Sequence, residues 1–205
     1  MSEINIFPAM DNVPDNRLPL PDEISYYVLE KERKLFLDYD IDAPVMEIER
    51  MIFRWNMEDR MKSTNERKPI WIYMLSPGGY GYYMWSLVDV IAASKTPIYT
   101  VNLGSCMSAA ALIFMAGHKR FMFPNAKVLI HQGSNKIEGD AQKVQDQAAS
   151  YKAELKQMQD YILSRTSITA SMLNKKKNND WEIDAKFCLE NGVCHTIVSS
   201  IDEVL

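Results

Sequence analysis

Cysteine is scarce in this chain of 205 residues: only Cys106, Cys188 and Cys194 occur. The count is odd and no pair has C-x-x-C spacing, which excludes a disulfide framework and fits a reducing compartment. Long apolar runs are missing as well; none approaches the roughly 18 residues that a membrane-spanning helix needs. The opening MSEINIFPAMDNVPDNRLPLPDE lacks the basic start and apolar centre of a secretory signal. A cytoplasmic protein without a membrane partner is the expectation. Nor is there a basic surplus, since 23 Lys and Arg stand against 27 Asp and Glu, a formal charge of -4. The one basic cluster, Lys175-Lys176-Lys177, runs into Asn-Asn-Asp and reads as a solvated loop, so nucleic acid is not an expected partner. Histidine is limited to His118, His131 and His195. The adjacent Cys194-His195 pair has no further residues at zinc-ligand spacing, so neither a metal nor an organic cofactor is expected.

What is present suits one well-cored domain with an appendage: 47% of residues are hydrophobic and 24% charged. Residues 1–22 carry Pro8, Pro14, Pro19 and Pro21 and read as an extended arm, because each proline fixes φ and removes a donor. Strand-like and helical patterns then alternate. KLFLDY (34–39) is β-like, and Val45, Ile48, Met51, Ile52 and Trp55 mark one face of a helix over 44–62. IWIYML (70–75) reads as a buried strand ending in the turn SPGG, followed by a helix burying Trp85, Val88, Ile91 and Ala92. IYTV (98–101) is a further strand. GSCMSAAALIFMAG (104–117) reads as a buried helix, with LGSCMS as the turn into it. RFMF (120–123) and KVLIH (127–131) are two more strands, joined by Pro124-Asn125. This β-then-α order implies an α/β domain with a largely parallel sheet or a spiral of sheets. Over 141–165 the stripe Val144, Ala148, Tyr151, Leu155, Met158 and Ile162 is narrow on a polar helix, which suits an arm that pairs with another subunit as well as a surface helix.

In open α/β sheets, sites gather at the carboxyl ends of strands. Three such ends carry usable chemistry. Ser108 stands at a helix start, where free N–H groups and the helix dipole favour an oxyanion; it reads as a nucleophile or as a plain N-cap. His131 closes a strand and could serve as the base that a serine hydroxyl needs. Gly78-Gly79 could present backbone donors without a Cβ in the way. A triad needs an acid to orient the imidazole. Glu138, Asp140, Asp160, Asp180, Glu182 and Asp184 are the candidates; Asp160 looks solvent-facing, and spacing does not choose between Asp180 and Asp184.

Four segments, YMLSPGGY, GSCMSAA, AGHKRFMFPNAKVLIHQ and NNDWEIDAKFCLENGV, resemble in order the signature segments of ClpP-type serine peptidases, the proteolytic subunits of the ATP-dependent Clp protease. The resemblance runs from about residue 33 to the C-terminus. It implies a ClpP/crotonase-like spiral of ββα units, an α/β head formed by 23–132 and 166–205, and a projecting handle strand and helix over 133–165 for ring–ring contact. It further implies Ser108 as nucleophile, His131 as base, Asp180 as acid, Asp184 as a helix cap, and the N–H groups of Gly79 and Ala109 as oxyanion donors. The implied assembly is two stacked heptameric rings, a tetradecamer, that hydrolyse unfolded proteins or peptides, with an AAA+ unfoldase as an optional partner. The chain departs from typical members in three places. Ala109 replaces the usual methionine after the nucleophile, the segment 133–142 has fewer glycines, and the arm is longer and richer in proline. Those departures resemble a divergent member. Two rival readings are a crotonase-type acyl-CoA enzyme and a ring subunit inactive without a paralogue.

Overall fold

The computed structural model describes residues 21–133, 137–176 and 179–205. The chain divides into two compact units, residues 1–32 and 33–205. In the first, a helix α1 spans Pro21–Lys31. The expected arm over 1–22 lies outside the described residues except for its last two positions, which already belong to α1.

The second unit is built around one seven-stranded sheet. Its strands are β1 (Lys34–Leu37), β2 (Ile70–Ser76), β3 (Ile98–Met107), β4 (Lys119–Met122), β5 (Lys127–Ile130), β6 (Trp181–Asp184) and β7 (Thr196–Ile197). Its helices are α2 (Val45–Glu58), α3 (Gly81–Ala93), α4 (Ala109–Ala116), α5 (Ala141–Arg165), α6 (Ala170–Lys176) and α7 (Ala185–Glu190). The strands run β1-β2-β3-β4-β7, all parallel, and β5 joins β3 in parallel and β6 in antiparallel fashion. Parallel neighbours need covered faces, and β2 shows it: Ile70, Ile72 and Met74 are fully buried, while Trp71 and Tyr73 enter an aromatic cluster with Tyr99 and Phe121 on the other face. This is the mixed α/β architecture expected from the ClpP/crotonase-like resemblance. No described helix is long and apolar enough to cross a membrane.

Helix α2 buries the five apolar residues that its spacing marks, together with Glu49. Helix α3 differs from expectation. It buries Met84, Leu87, Val88 and Ile91, while Trp85 is half-buried and Ala92 exposed. Its sequence, GYYMWSLVDVIAA, is apolar around most of its circumference, so periodicity does not define one face.

The larger correction concerns 104–117. Strand β3 continues through Gly104, Ser105, Cys106 and Met107, and only Ala109–Ala116 is helical. The extension exists because β3 changes neighbour midway: Tyr99–Asn102 pair with β4, and Ser105–Met107 pair with β5. The strands on either side of Pro124-Asn125 therefore follow one another along β3. Asn102 fills the hand-over. Fully buried, it donates from Nδ2 to the Lys127 carbonyl (2.9 Å) and accepts at Oδ1 from the Gly104 N–H (3.1 Å).

Helix α5 has the bounds read from the sequence. Asp140 caps it by accepting from the Lys143 N–H at 3.0 Å. Residues 141–150 are all exposed, and burial starts at Tyr151 and is complete only at Ile162. Part of the expected handle strand, 134–136, lies outside the described residues; Gly139 and Asp140 form a bend.

Candidate active site

Ser108 alone turns β3 into α4. It does so at φ 53°, ψ -122°, a left-handed conformation that a non-glycine residue adopts at a cost of about 1–3 kcal/mol. Two flanking constraints impose it. The Ser108 N–H donates to the Leu129 carbonyl (2.9 Å), extending the pairing with β5, and its carbonyl already accepts from the Ala111 N–H in the first helical turn (3.0 Å). The side chain makes no capping bond. Its Oγ lies 2.7 Å from Nε2 of His131 instead, so the plain N-cap reading fails.

His131 follows β5 directly. Because β5 and β6 pair antiparallel with Ile130 opposite Trp181, the next residue on one strand faces the preceding residue on the other. These are His131 and Asp180, with Nδ1 and Oδ1 3.4 Å apart. The Asp180 side chain is 72% exposed and that of His131 31%. Asp180 directly precedes strand β6. The other acids have other partners. Asp184 caps α7 by accepting from the Phe187 N–H at 2.8 Å. Asp160 pairs with Lys156 at 2.6 Å, Glu182 pairs with Lys127, and Asp140 caps α5. The Glu138 N–H donates to Gln147 at 3.2 Å. Helix α7 stops at Gly192, φ 67°, where the Val193 and Gly192 N–H groups return to the Cys188 and Leu189 carbonyls.

The SPGG turn packs against the same spot. A Cβ on Gly78 would stand 2.7 Å from the Met107 carbonyl oxygen and 2.8 Å from Cβ of Ser108, and φ there is +101°. The Gly78 carbonyl accepts from the Ile41 N–H, and the Tyr80 N–H donates to the Ile41 carbonyl, both at 2.8 Å. In a parallel bridge those flanking groups face the partner strand and the central residue's own N–H points the other way. Ser76 organises the turn: its Oγ donates to the Tyr39 carbonyl (2.6 Å) and accepts from the Gly78 N–H (3.3 Å).

The far end of α4 is held by two guanidinium groups. Arg165 donates to the carbonyls of Met115, Ala116 and Gly117, and Arg120 donates to Met115. Cations there complement the helix dipole, whose positive end lies beside Ser108. Burial, with Arg165 nearby, lowers the Arg120 pKa to about 10. His195 stacks its polar edge against Arg120, with Nε2 and Nη2 2.8 Å apart, and burial followed by the Arg120 charge lowers its pKa. His118 accepts from the Ile98 N–H at 2.9 Å. Neither approaches Ser108 as His131 does. Burial raises the thiol pKa values of all three cysteines, that of Cys194 to about 11. Among the described residues no group of three His, Cys, Asp or Glu side chains is arranged for a metal.

Two hollows meet at Ser108. One is a groove of ≈ 530 Å³ that includes Gly79, Ser108, Ala109, Gln132 and residues of α5. The other is a small cavity of ≈ 40 Å³, lined mainly by apolar groups such as Leu112, Ile130 and Trp181, with His131 on its wall. The arrangement holds a hydroxyl against an imidazole at the start of a helix, with open space for an extended ligand. The sequence reading missed Ser76, Asn102, Arg120 and Arg165. Only Arg120 carried a detectable signal, as a cation just past the end of an apolar helix.

The Clp protease family model matches residues 23–201. An ATP-dependent Clp protease proteolytic subunit 2 from Treponema pallidum is 31% identical over 140 residues, 67% of this chain and 70% of that protein. The protein of the same description from Treponema denticola is 31% identical over 146 residues, 70% of this chain and 73% of its own length. An ATP-dependent Clp protease proteolytic subunit 1 from Rhodopirellula baltica is 28% identical over 135 residues, 65% of this chain and 60% of that protein. With a family match over most of its length and this modest identity to individual relatives, the chain belongs to the Clp protease family as a divergent ClpP-type member.

Proposed function

We propose that this protein is a serine endopeptidase in which Ser108, His131 and Asp180 act as the catalytic triad. One observation carries the reading: the Ser108 hydroxyl lies 2.7 Å from the His131 imidazole and does not cap its helix. His131 Nε2 accepts the Ser108 proton as Oγ attacks the peptide carbonyl. The oxyanion that forms is held by the N–H groups of Gly79 and Ala109, each worth ~3 kcal/mol in comparable sites. The imidazolium then protonates the leaving amine, and water entering in its place hydrolyses the acyl-enzyme by the reverse proton path. Asp180 keeps the Nδ1 proton in place and stabilises the charged ring. No metal or organic cofactor is needed for these steps.

The assembly proposed with this chemistry is two stacked heptameric rings, with the cytoplasm as location and unfolded protein as substrate. The exposed half of α5, residues 141–150, supports a role in contact between copies. The ATP-dependent complexes for which the relatives are named support a partner ATPase of the AAA+ type. The test is labelling with a fluorophosphonate at neutral pH, with native mass measured on the same sample. The expected result is label on Ser108, none on Ser108→Ala, and a mass far above one chain. An assembled wild-type protein that takes no label overturns the peptidase reading.

A further inference from the structure

Glu154 is the one acidic or basic side chain among the described residues lining the ≈ 530 Å³ groove beside Ser108. It projects from α5 toward the turn that opens α3. A Cβ added at Gly81 would lie 2.5 Å from its Oε1, so the missing side chain of Gly81 is what gives the carboxylate its space. Ala109, the small residue after Ser108, widens the same groove, and Trp85 and Met158 line it with apolar surface.

Among the described residues, the charges near this carboxylate leave it available. Residues one turn away on α5, namely Ser150, Tyr151, Gln157 and Met158, carry no positive charge. Lys156, on another face of the helix, is paired with Asp160 at 2.6 Å. Tyr151 stands between the carboxylate and the strand end: its hydroxyl donates to the Gln132 carbonyl at 2.9 Å. Burial, and then the Glu154 charge, push its phenol pKa up.

A half-buried carboxylate whose described neighbours in the groove are neutral favours a bound cation, because its own solvation is reduced and no cation among the described lining residues compensates it. Apolar walls ahead of a charged end suit a long side chain with methylenes along its stem, which describes lysine and arginine. The groove also contains Gly79, Ser108 and Ala109, so the substrate side chain nearest to it belongs to the residue that supplies the scissile carbonyl. We propose that Glu154 determines specificity and that the groove selects lysine or arginine immediately before the cleaved bond. This inference rests on the serine-peptidase reading.

The experiment uses the assembled 205-residue protein and three peptidyl diphenyl phosphonates that differ only in a lysine-like, leucine-like or glutamate-like terminal side chain. A general fluorophosphonate serves as reference for Ser108 reactivity. The lysine-like probe is expected to label Ser108 at least about tenfold faster than the leucine-like one. Glu154→Gln and Glu154→Ala are each expected to reduce that ratio about tenfold, and Glu154→Lys to favour a glutamate-like probe. Wild-type protein that takes the fluorophosphonate but prefers the leucine-like probe, or a ratio that Glu154→Gln leaves unaltered, overturns the specificity while the peptidase reading stands. Failure of every probe, the fluorophosphonate included, overturns both.

Discussion

The Arg33–Asp59 and His131–Asp180 pairs both join a carboxylate to a nitrogen base, and each involves a residue next to an unusual backbone. Arg33 has φ 59° and Ser108, the neighbour of His131, has φ 53°. Beyond that they differ in saturation. Asp59 is fully buried and Arg33 nearly so; the guanidinium grips both carboxylate oxygens at 2.5 and 3.0 Å. Lys62 and Thr96 add further donors at 2.8 and 3.3 Å, and the Arg33 guanidinium also donates to the Lys68 carbonyl at 2.9 Å. The Arg33 hydrogen bonds hold Asp59 well below the usual carboxylate range against the opposing effect of burial. His131 and Asp180 meet at 3.4 Å across a mostly exposed gap. A pair that only holds structure gains from having every lone pair satisfied. A pair proposed to pass protons needs one contact free to change, with water and substrate in reach.

Activity and stability should therefore separate between the two. The largest effect is expected for Ser108→Ala, which should lower kcat on a fluorogenic peptide by about 10⁶-fold while the urea midpoint stays near wild type. Residual cleavage within tenfold of wild type would show that another group attacks the bond. Asp180→Asn should cost about 10³- to 10⁴-fold in kcat by favouring the wrong imidazole tautomer, and its exposure predicts almost no loss of stability. If urea unfolding of Asp180→Asn instead shifts markedly, the contrast with Asp59 collapses. Asp59→Ala should show the reverse pattern, losing about 3–5 kcal/mol of unfolding free energy because Arg33 is left buried and unpaired. Adding Arg33→Met to that variant should recover part of the loss, and no recovery would argue that shape, not charge, governs the site.

Gly78→Ala should follow, at about 1–3 kcal/mol in urea unfolding, since the left-handed backbone and the 2.7 Å approach to Met107 both oppose a methyl group. Equal stability would mean the turn can withdraw from Ser108, and peptide cleavage should then fall. The smallest effect is in pH. Because the folded pKa of Asp59 is depressed, its contribution is complete above the unfolded value of about 4 and is lost as pH falls through the lower folded value. The urea-midpoint difference between wild type and Asp59→Ala should hold from neutrality to about pH 5 and shrink only below about pH 4. A difference that disappears near pH 6 would point to a histidine instead.

How far these elements could be read beforehand depended on whether local pattern or remote pairing controlled them. Helix α2 and strand β2 carry their burial in their own periodicity, and α5 has its Asp140 cap and narrow stripe in plain sequence. The end of β3 does not. Gly104–Met107 resemble a turn, and they are extended because β5 pairs with them. Ser108 looks like an N-cap by local chemistry, and it is the remote hydrogen bond from its N–H to Leu129, added to the local helical turn, that obliges the strained φ and sends the hydroxyl elsewhere.

The amino-acid sequence by itself determined the alternation of strand and helix, the long polar helix, and the residue types able to do acyl-transfer chemistry, because each is written in spacing or side-chain chemistry within a few positions. Only the tertiary structure decided where β3 ends, how β5 and β6 bring Asp180 to His131, and that Glu154 stands in the groove. Those depend on strand register and on contacts between segments far apart in the chain, such as His131 with Asp180 and Gly81 with Glu154, which no local pattern encodes.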